Sequence, residues 1–95
     1  MHSNFVETVK KHSALLVNIE SIYVFGSVLD SSKMPNDIDI LIIYSEYTNA
    51  TQMEIESFVK KLESEINLSI DITVLSCEEE REVHFLNRIK SLQVK

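Results

Sequence analysis

The sequence predicts a small α/β or α+β fold, in which a mixed sheet of three to four strands carries helices packed on one face. Three short apolar runs, residues 21–25, 37–44 and 69–75, have the β-branched composition of strands. Segments with apolar residues at helical spacing alternate with these runs. A chain of 95 residues can bury roughly two-thirds of its unfolded surface, which predicts a single domain over residues 1–95.

The first predicted helix runs from about Asn4 to about Leu16. Asn4 and Glu7 have the spacing of a capping box, in which each residue's side chain accepts from the other's backbone N–H. One helical stripe is formed by Phe5, Val9, Leu16 and the apolar part of His12.

The first strand, residues 21–25, ends at Gly26, the only glycine of the chain. The segment from Ser27 to Asn36 is polar and turn-rich, and it leaves room for one helical turn after Ser27. The second and longer strand then covers residues 37–44 and begins with two acids, Asp37 and Asp39.

A second helix is predicted from a capping box at Thr51 and Glu54. Its apolar stripe consists of Ile55, Phe58, Val59, Leu62 and Ile66. The third strand, residues 69–75, places Asp71 between two isoleucines.

A third helix begins at a capping box of Ser76 and Glu79, and its first turn is acidic, as the positive end of a helix dipole favours. The apolar residues that would carry this helix towards the C-terminus are Val83, Phe85, Leu86, Ile89 and Leu92. The sequence therefore predicts that the chain ends in a helix.

Composition excludes several classes of protein. A net charge of −6 makes nucleic acid an improbable main partner, because such binding depends on Lys and Arg neutralising phosphates. Cys77 is the only cysteine, so neither an intramolecular disulfide nor a thiolate metal cluster can form. Neither a signal segment nor an apolar stretch of membrane-spanning length is evident, which predicts a cytoplasmic protein that does not cross a membrane.

The acids of the second and third strands form the candidate site. Because strand side chains alternate, Asp37 and Asp39 share one face about 7 Å apart, and Asp71 joins them if the third strand lies beside the second. Three converging carboxylates favour Mg²⁺, or Mn²⁺, as compensating cations. Gly26 and Ser27 form a turn at which a phosphate could approach the backbone closely.

Structural explanations of each acid remain open at this stage. Asp37 could belong to the preceding turn, Asp39 could face solvent on an edge strand, and Asp71 could be the polar half of an amphipathic strand. Their joint placement behind a strand and a Gly-Ser turn favours a shared site.

Together these residues resemble the signature of the nucleotidyltransferases related to DNA polymerase β, especially the minimal nucleotidyltransferase (MNT) branch. That signature is an apolar residue and Gly-[Gly/Ser], nine to thirteen residues, and Asp-x-[Asp/Glu] with apolar neighbours. Here it corresponds to Phe25-Gly26-Ser27, nine intervening residues and Asp37-Ile38-Asp39-Ile40. Asp71 stands where the family places a third carboxylate.

The resemblance implies a magnesium-dependent transfer of a nucleoside monophosphate from ATP or another NTP to a hydroxyl. It implies that Gly26 and Ser27 bind the triphosphate, that Asp37 and Asp39 are ligands of two metal ions, and that Asp71 is a ligand that also helps to activate the acceptor. Minimal members often act as antitoxins beside HEPN-type helical toxins, some by adenylylating the toxin. A HEPN-type partner or a second copy of the chain would complete the cleft of so small a domain.

A second hypothesis retains the fold without the chemistry. Many minimal members continue after Gly-Ser with a basic Arg-Ala-Arg-Gly-like segment, whereas this chain continues with Val28, Leu29 and Asp30, and Lys33 is the nearest cation. The alternative is therefore a weakly active or inactive binding module that neutralises or regulates a partner protein.

Overall fold

The computed structural model describes residues 3–30 and 36–95. Within these residues the chain forms three α-helices, two short 3₁₀ helices and four strands. In chain order they are α1 (Ser3–Ser13), β1 (Ser21–Phe25), the first 3₁₀ helix (Gly26–Leu29), β2 (Asp37–Tyr44), α2 (Asn49–Glu65), β3 (Ser69–Ser76), α3 (Cys77–Val83), the second 3₁₀ helix (Phe85–Arg88) and β4 (Ser91–Gln93).

The four strands form one mixed sheet in the order β3-β2-β1-β4. β1 is antiparallel to both of its neighbours, β2 and β4, and β2 is parallel to β3. The predicted α+β fold with a small mixed sheet is thus confirmed, and β2 occupies an interior position where both of its edges are hydrogen-bonded.

The main core lies between one face of the sheet and the helices α1 and α2. Alternating residues of β1 and β2 supply the sheet side of this core, as expected for strands with one face buried against helices. Its buried members include Ile22, Val24, Ile38, Ile40 and Ile42 from the sheet, and Val9, Leu16, Phe58, Leu62 and Ile66 from the helical side.

Polar contacts join α2 to the first helix and to the loop that follows it. The carboxylate of Glu54 accepts hydrogen bonds from the backbone N–H groups of Val17 (3.1 Å) and Asn18 (2.9 Å). Near the other end of α2, Glu65 contacts His12 and accepts from Lys11 at 3.1 Å. These contacts fix the direction in which the chain leaves α1 and enters β1.

Two predicted helix starts are wrong. α1 already includes Ser3, so Asn4 is not its N-cap. α1 also ends earlier than predicted, at Ser13 rather than at Leu16. The buried hydroxyl of Ser13 donates to the carbonyl oxygen of Val9 at 2.7 Å, a back-bond that competes with continued helix.

The second helix begins two residues before the predicted cap. Thr48 is the N-cap, and its hydroxyl oxygen accepts from the backbone N–H of Thr51 at 3.1 Å. Thr51 itself is buried within the first turn and donates its hydroxyl to the carbonyl oxygen of Glu46 at 2.9 Å. The predicted box of Thr51 and Glu54 therefore does not form, because an earlier threonine takes the capping position.

The third helix begins as predicted but ends early. The capping box is present, with the Glu79 N–H donating to the Ser76 hydroxyl (3.0 Å) and the Ser76 N–H donating to the Glu79 carboxylate (2.8 Å). The helix ends at Val83, because His84 adopts the left-handed conformation with φ 52° and ψ 46°.

The segment predicted to continue this helix forms the second 3₁₀ helix and β4 instead. β4 pairs with β1, and Val94 donates its backbone N–H to the carbonyl oxygen of Ile22 at 2.8 Å. An unpaired edge of β1 would leave its backbone groups without partners, and this pairing satisfies them. Tertiary hydrogen bonding therefore outweighs the local helical pattern of Phe85, Leu86, Ile89 and Leu92.

No helix in the two described segments combines the length and the apolar character needed to cross a bilayer.

Candidate active site

The strand register brings the three predicted acids together on one face of the sheet. Asp39 of β2 is the direct partner of Asp71 on β3, and Asp37 is the partner of Ser69. Directly paired residues point to the same face. The acids therefore lie on the face opposite the buried side chains of Ile38 and Ile40.

The three carboxylates are close enough to share a ligand. One oxygen from each of Asp37, Asp39 and Asp71 lies within 4.8 Å of the others. Asp37 and Asp39 are half-buried, and Asp71 is exposed. Because β2 is an interior strand, the interpretation of Asp39 as an edge-strand surface residue is excluded.

Electrostatics disfavour the fully ionised cluster. Burial raises the pKa of Asp39 above its usual range, and the charges of Asp37 and Asp71, together with a hydrogen bond to Asp71, raise that pKa further. Each of these causes favours the protonated carboxyl. A bound cation would instead favour the ionised carboxylates, because it compensates their negative charges.

The composition of the cluster fits a hard divalent cation. Mg²⁺ and Mn²⁺ prefer carboxylate oxygens, and Mg²⁺ in particular is commonly held by one or two carboxylates together with substrate phosphates. Asp37, Asp39 and Asp71 provide such donors on two adjacent strands, with Asp71 open to solvent. Their role as metal ligands stays a prediction from the sequence that this geometry supports.

Gly26 lies against the carboxylate of Asp39. Its φ of +84° is in the region that favours glycine. A β-carbon placed on Gly26 would overlap Oδ2 of Asp39 and would lie 3.2 Å from its Cγ. Backbone conformation and close packing therefore both require glycine at this position.

The rest of the turn is the first 3₁₀ helix. Ser27 is its second residue and is half-buried, and the carbonyl oxygen of Ser27 accepts from the backbone N–H of Asp30 at 3.0 Å. Val28 is buried and anchors the turn in the core. The predicted helical turn after β1 is thus present, whereas Lys33 lies outside the described residues.

One aromatic contact beside the site is not evident from the sequence. Phe25, the cross-strand partner of Asp39, packs edge-to-face against Phe85, with ring centroids 5.4 Å apart and an interplanar angle of 79°. Phe85 was assigned to the stripe of a terminal helix. Phe85 reaches Phe25 because α3 ends at Val83. The apolar periodicity of the sequence does not indicate where α3 ends.

Comparison with solved structures shows where this fold occurs. A candidate nucleotidyltransferase from Sulfolobus solfataricus is 23% identical, with a TM-score of 0.53 over 98% of this chain and 78% of that chain. A structure of the tri-AMPylated Shewanella oneidensis HEPN toxin in complex with MNT antitoxin contains a match at 17% identity and a TM-score of 0.60, covering 100% of this chain and 72% of that one. A toxin-antitoxin structure with AMP-PNP matches at 16% identity and a TM-score of 0.51, covering 100% and 73%.

At these sequence identities the similarity to the three solved structures shows a shared fold and nothing more. No curated protein matches the sequence significantly. The family model for polymerase β nucleotidyltransferases, in contrast, matches residues 5–92, which is nearly the whole chain and includes all three acids and the glycine turn. The chain therefore belongs to the polymerase β nucleotidyltransferase family.

Proposed function

We propose that residues 1–95 form one minimal nucleotidyltransferase domain that transfers a nucleoside monophosphate, AMP from ATP, to a hydroxyl with the aid of Mg²⁺ or Mn²⁺. The observation that carries this proposal is the convergence of Asp37, Asp39 and Asp71 within 4.8 Å beside a glycine turn. Membership of the nucleotidyltransferase family supports the reaction class.

The roles proposed for the acids follow from their positions. Asp37 and Asp39, half-buried on the interior strand β2, are fixed ligands for two cations, and Asp71 completes the set from β3. When bound, the cations polarise the phosphate oxygens and neutralise the charge that develops on the leaving group. Asp71 is exposed, so an incoming hydroxyl can reach its carboxylate and transfer its proton there.

The transfer is a single displacement at the α-phosphorus of the nucleotide. The acceptor oxygen forms a bond to this phosphorus, the bond to the bridging oxygen breaks, and pyrophosphate leaves with that electron pair. In this proposal the backbone N–H groups of the turn at Gly26 and the hydroxyl of Ser27 donate hydrogen bonds to the phosphate oxygens. The absence of a side chain at Gly26 permits this close approach.

For the acceptor we propose a hydroxyl of a HEPN-type toxin, so that the chain acts as an antitoxin in the cytoplasm. The support is the fold likeness to chains in toxin-antitoxin structures, one with a tri-AMPylated toxin and one with AMP-PNP. A HEPN-type partner would also add protein surface around the acids. A second copy of the chain is the alternative source of that surface.

The test is a transfer assay with ATP labelled at the α-phosphate, Mg²⁺ and a HEPN-type protein as the acceptor. We expect label on the partner with the wild-type chain, and at least a hundredfold less with Asp37→Asn or Asp39→Asn, because neither variant keeps the full ligand set. Glu63→Gln is the matched control. It removes an exposed acid of α2, the helix on the face of the sheet that does not carry the three acids, and leaves the site intact. Absence of label with each of the four common NTPs would refute the proposed reaction.

A second candidate function is a binding module that neutralises its partner without chemistry. The observation that favours it is the turn after Ser27, where Val28 is buried and Leu29 follows, so that the first 3₁₀ helix carries no cation to contact a triphosphate. This candidate predicts that Asp39→Asn still binds and neutralises the toxin. Loss of neutralisation in that variant, with binding retained, would exclude it.

A further inference from the structure

One cross-strand row of the sheet joins the acid cluster to an aromatic pair. Across the four strands the row contains Ser91, Phe25, Asp39 and Asp71, each paired with the next. Adjacent strands lie about 4.8 Å apart, so the backbone of Phe25 is one strand away from Asp39. The ring of Phe85 lies 5.4 Å from that of Phe25, on the side of the sheet that carries the acids.

This aromatic pair is separate from the main hydrophobic core. The core uses the neighbouring residue Val24 and the opposite face of β2, whereas Phe25 and Phe85 keep part of their surface accessible to solvent. Aromatic side chains contribute large contact areas when they are covered. A partly exposed pair beside a phosphate-binding turn therefore leaves apolar area that a planar ligand group can cover.

Hydrogen bonds on both sides of Phe85 position it in the chain. It follows His84, whose left-handed backbone conformation redirects the chain at the end of α3. Glu80 then ties the segment back to the helix, because its carbonyl oxygen accepts from the His84 N–H (2.8 Å) and its carboxylate accepts from the Leu86 N–H (3.3 Å). The Arg88 guanidinium also donates to the carbonyl oxygen of Val83 at 2.6 Å.

Helices commonly end with a residue in the left-handed conformation. In this chain that residue, His84, ends α3, and the chain then places the Phe85 ring against Phe25. Preorganised rings of this kind bind a ligand without the entropy cost of ordering a loop.

We propose that Phe85, together with Phe25, forms the surface that contacts the nucleobase of the NTP. The inference rests on the proposed function, because the acids and the turn at Gly26 must first hold the triphosphate. Phe25 directly precedes Gly26 in the chain, so a base tethered to that triphosphate has the aromatic pair within its reach. Stacking on aromatic rings is available to every base, because every base has a π-face.

The test compares the binding of ATP and of inorganic tripolyphosphate, each with Mg²⁺, by isothermal titration calorimetry. Tripolyphosphate occupies the metal and phosphate positions but has no base. We expect the wild-type chain to bind ATP at least fivefold more tightly than tripolyphosphate. Phe85→Ala should weaken ATP binding by about 5- to 20-fold, in the range measured for loss of base stacking, and change tripolyphosphate binding by less than twofold.

Two further variants act as controls. Phe85→Leu keeps the apolar contact with Phe25 but loses the ring face, and it should weaken ATP binding less than Phe85→Ala does. Tyr47→Ala disrupts the second aromatic pair, formed with Tyr44 at 5.1 Å between ring centroids, and Tyr47 is also exposed. This variant should leave the affinity for both ligands unchanged.

Each outcome separates the two proposals. Equal affinity of the wild-type chain for ATP and tripolyphosphate, or an equal loss of both in Phe85→Ala, would overturn the role of Phe85 and leave the proposed function standing. Failure of the wild-type chain to bind either ligand would overturn both.

A measurement on the wild-type chain covers the case in which Phe85→Ala does not fold. Intermolecular nuclear Overhauser effects between the adenine protons and phenylalanine ring protons are expected in the complex with ATP and Mg²⁺. Their absence in a saturated complex would also overturn the inference.

Discussion

Replacement of Gly26 by alanine tests the packing of the turn against the acid cluster. The new methyl group would have to tolerate a φ of +84° and would overlap Oδ2 of Asp39. The two effects are separable, because the first belongs to the backbone of residue 26 and the second depends on the side chain of residue 39. In Asp39→Ala the overlapping carboxylate is absent, whereas in Asp39→Asn a group of the same shape remains.

The magnitudes follow from these two contributions. A left-handed conformation costs an alanine about 1–2 kcal/mol. Overlap with Asp39 adds about 1 kcal/mol or more, near the low end for overpacking because the carboxylate can rotate away. Gly26→Ala should therefore lower the free energy of unfolding by about 2–3 kcal/mol in the wild-type background and by about 1–2 kcal/mol in the Asp39→Ala background.

The assay is urea unfolding in buffer containing a chelator, so that cations do not contribute. For a domain of 95 residues the total stability is of the order of 5–14 kcal/mol, and each variant should remain folded enough to measure. Asp39→Asn serves as the matched background, in which the cost of Gly26→Ala should equal that in the wild type. An equal cost in the Asp39→Ala background as well would show that Gly26 does not pack on Asp39 and would refute the reasoning.

Three further predictions concern charge and capping. Because the pKa of Asp39 is raised in the folded state, its contribution favours folding below the usual aspartate pKa and is lost as the pH rises through the raised value. Asp39→Asn should therefore stabilise the cation-free protein at neutral pH, and a lower urea midpoint than wild type would contradict this. The hydrogen bond from Lys11 and then the contact with His12 lower the pKa of Glu65, so its contribution is present above the usual glutamate pKa and is lost as the pH falls through the lowered value. Glu65→Gln should make the stability depend less on pH between pH 2 and 6, as measured by unfolding followed by circular dichroism. An unchanged dependence on pH would count against the contact of Glu65 with Lys11 and His12. Ser76→Ala removes the N-cap of α3 and should cost about 1 kcal/mol, or about 4–8 °C in melting temperature by calorimetry, whereas an unchanged melting temperature would exclude a stabilising cap.

The first three strands were predictable because their sequence patterns are local. β2 covers the predicted range, residues 37–44. Its first four residues alternate between acid and isoleucine and lead into an apolar run, a pattern that fits a strand. The acids converge because β3 lies parallel to β2 in a register that pairs Asp39 with Asp71. That pairing was the one conditional step in the sequence argument.

The C-terminal segment could not be predicted from the same signals. The apolar residues after Val83 fit a helix as well as they fit a short helix followed by a strand. The choice depends on β1, whose outer edge pairs with β4, and on His84, whose left-handed backbone conformation ends α3. The predicted start of α2 was wrong for a related reason. Thr48 and Thr51 are both residue types that cap helices well, and only tertiary packing, which buries Thr51, decides between them.

We propose that Asp37, Asp39 and Asp71 together hold divalent cations. Titration with Mn²⁺ in the presence of AMP-PNP tests this proposal, with free Mn²⁺ followed by electron paramagnetic resonance. We predict saturable binding of two ions per chain, reduced to one ion or fewer in Asp39→Asn and unchanged in Glu63→Gln. Equal binding by the wild-type chain and Asp39→Asn would contradict the claim.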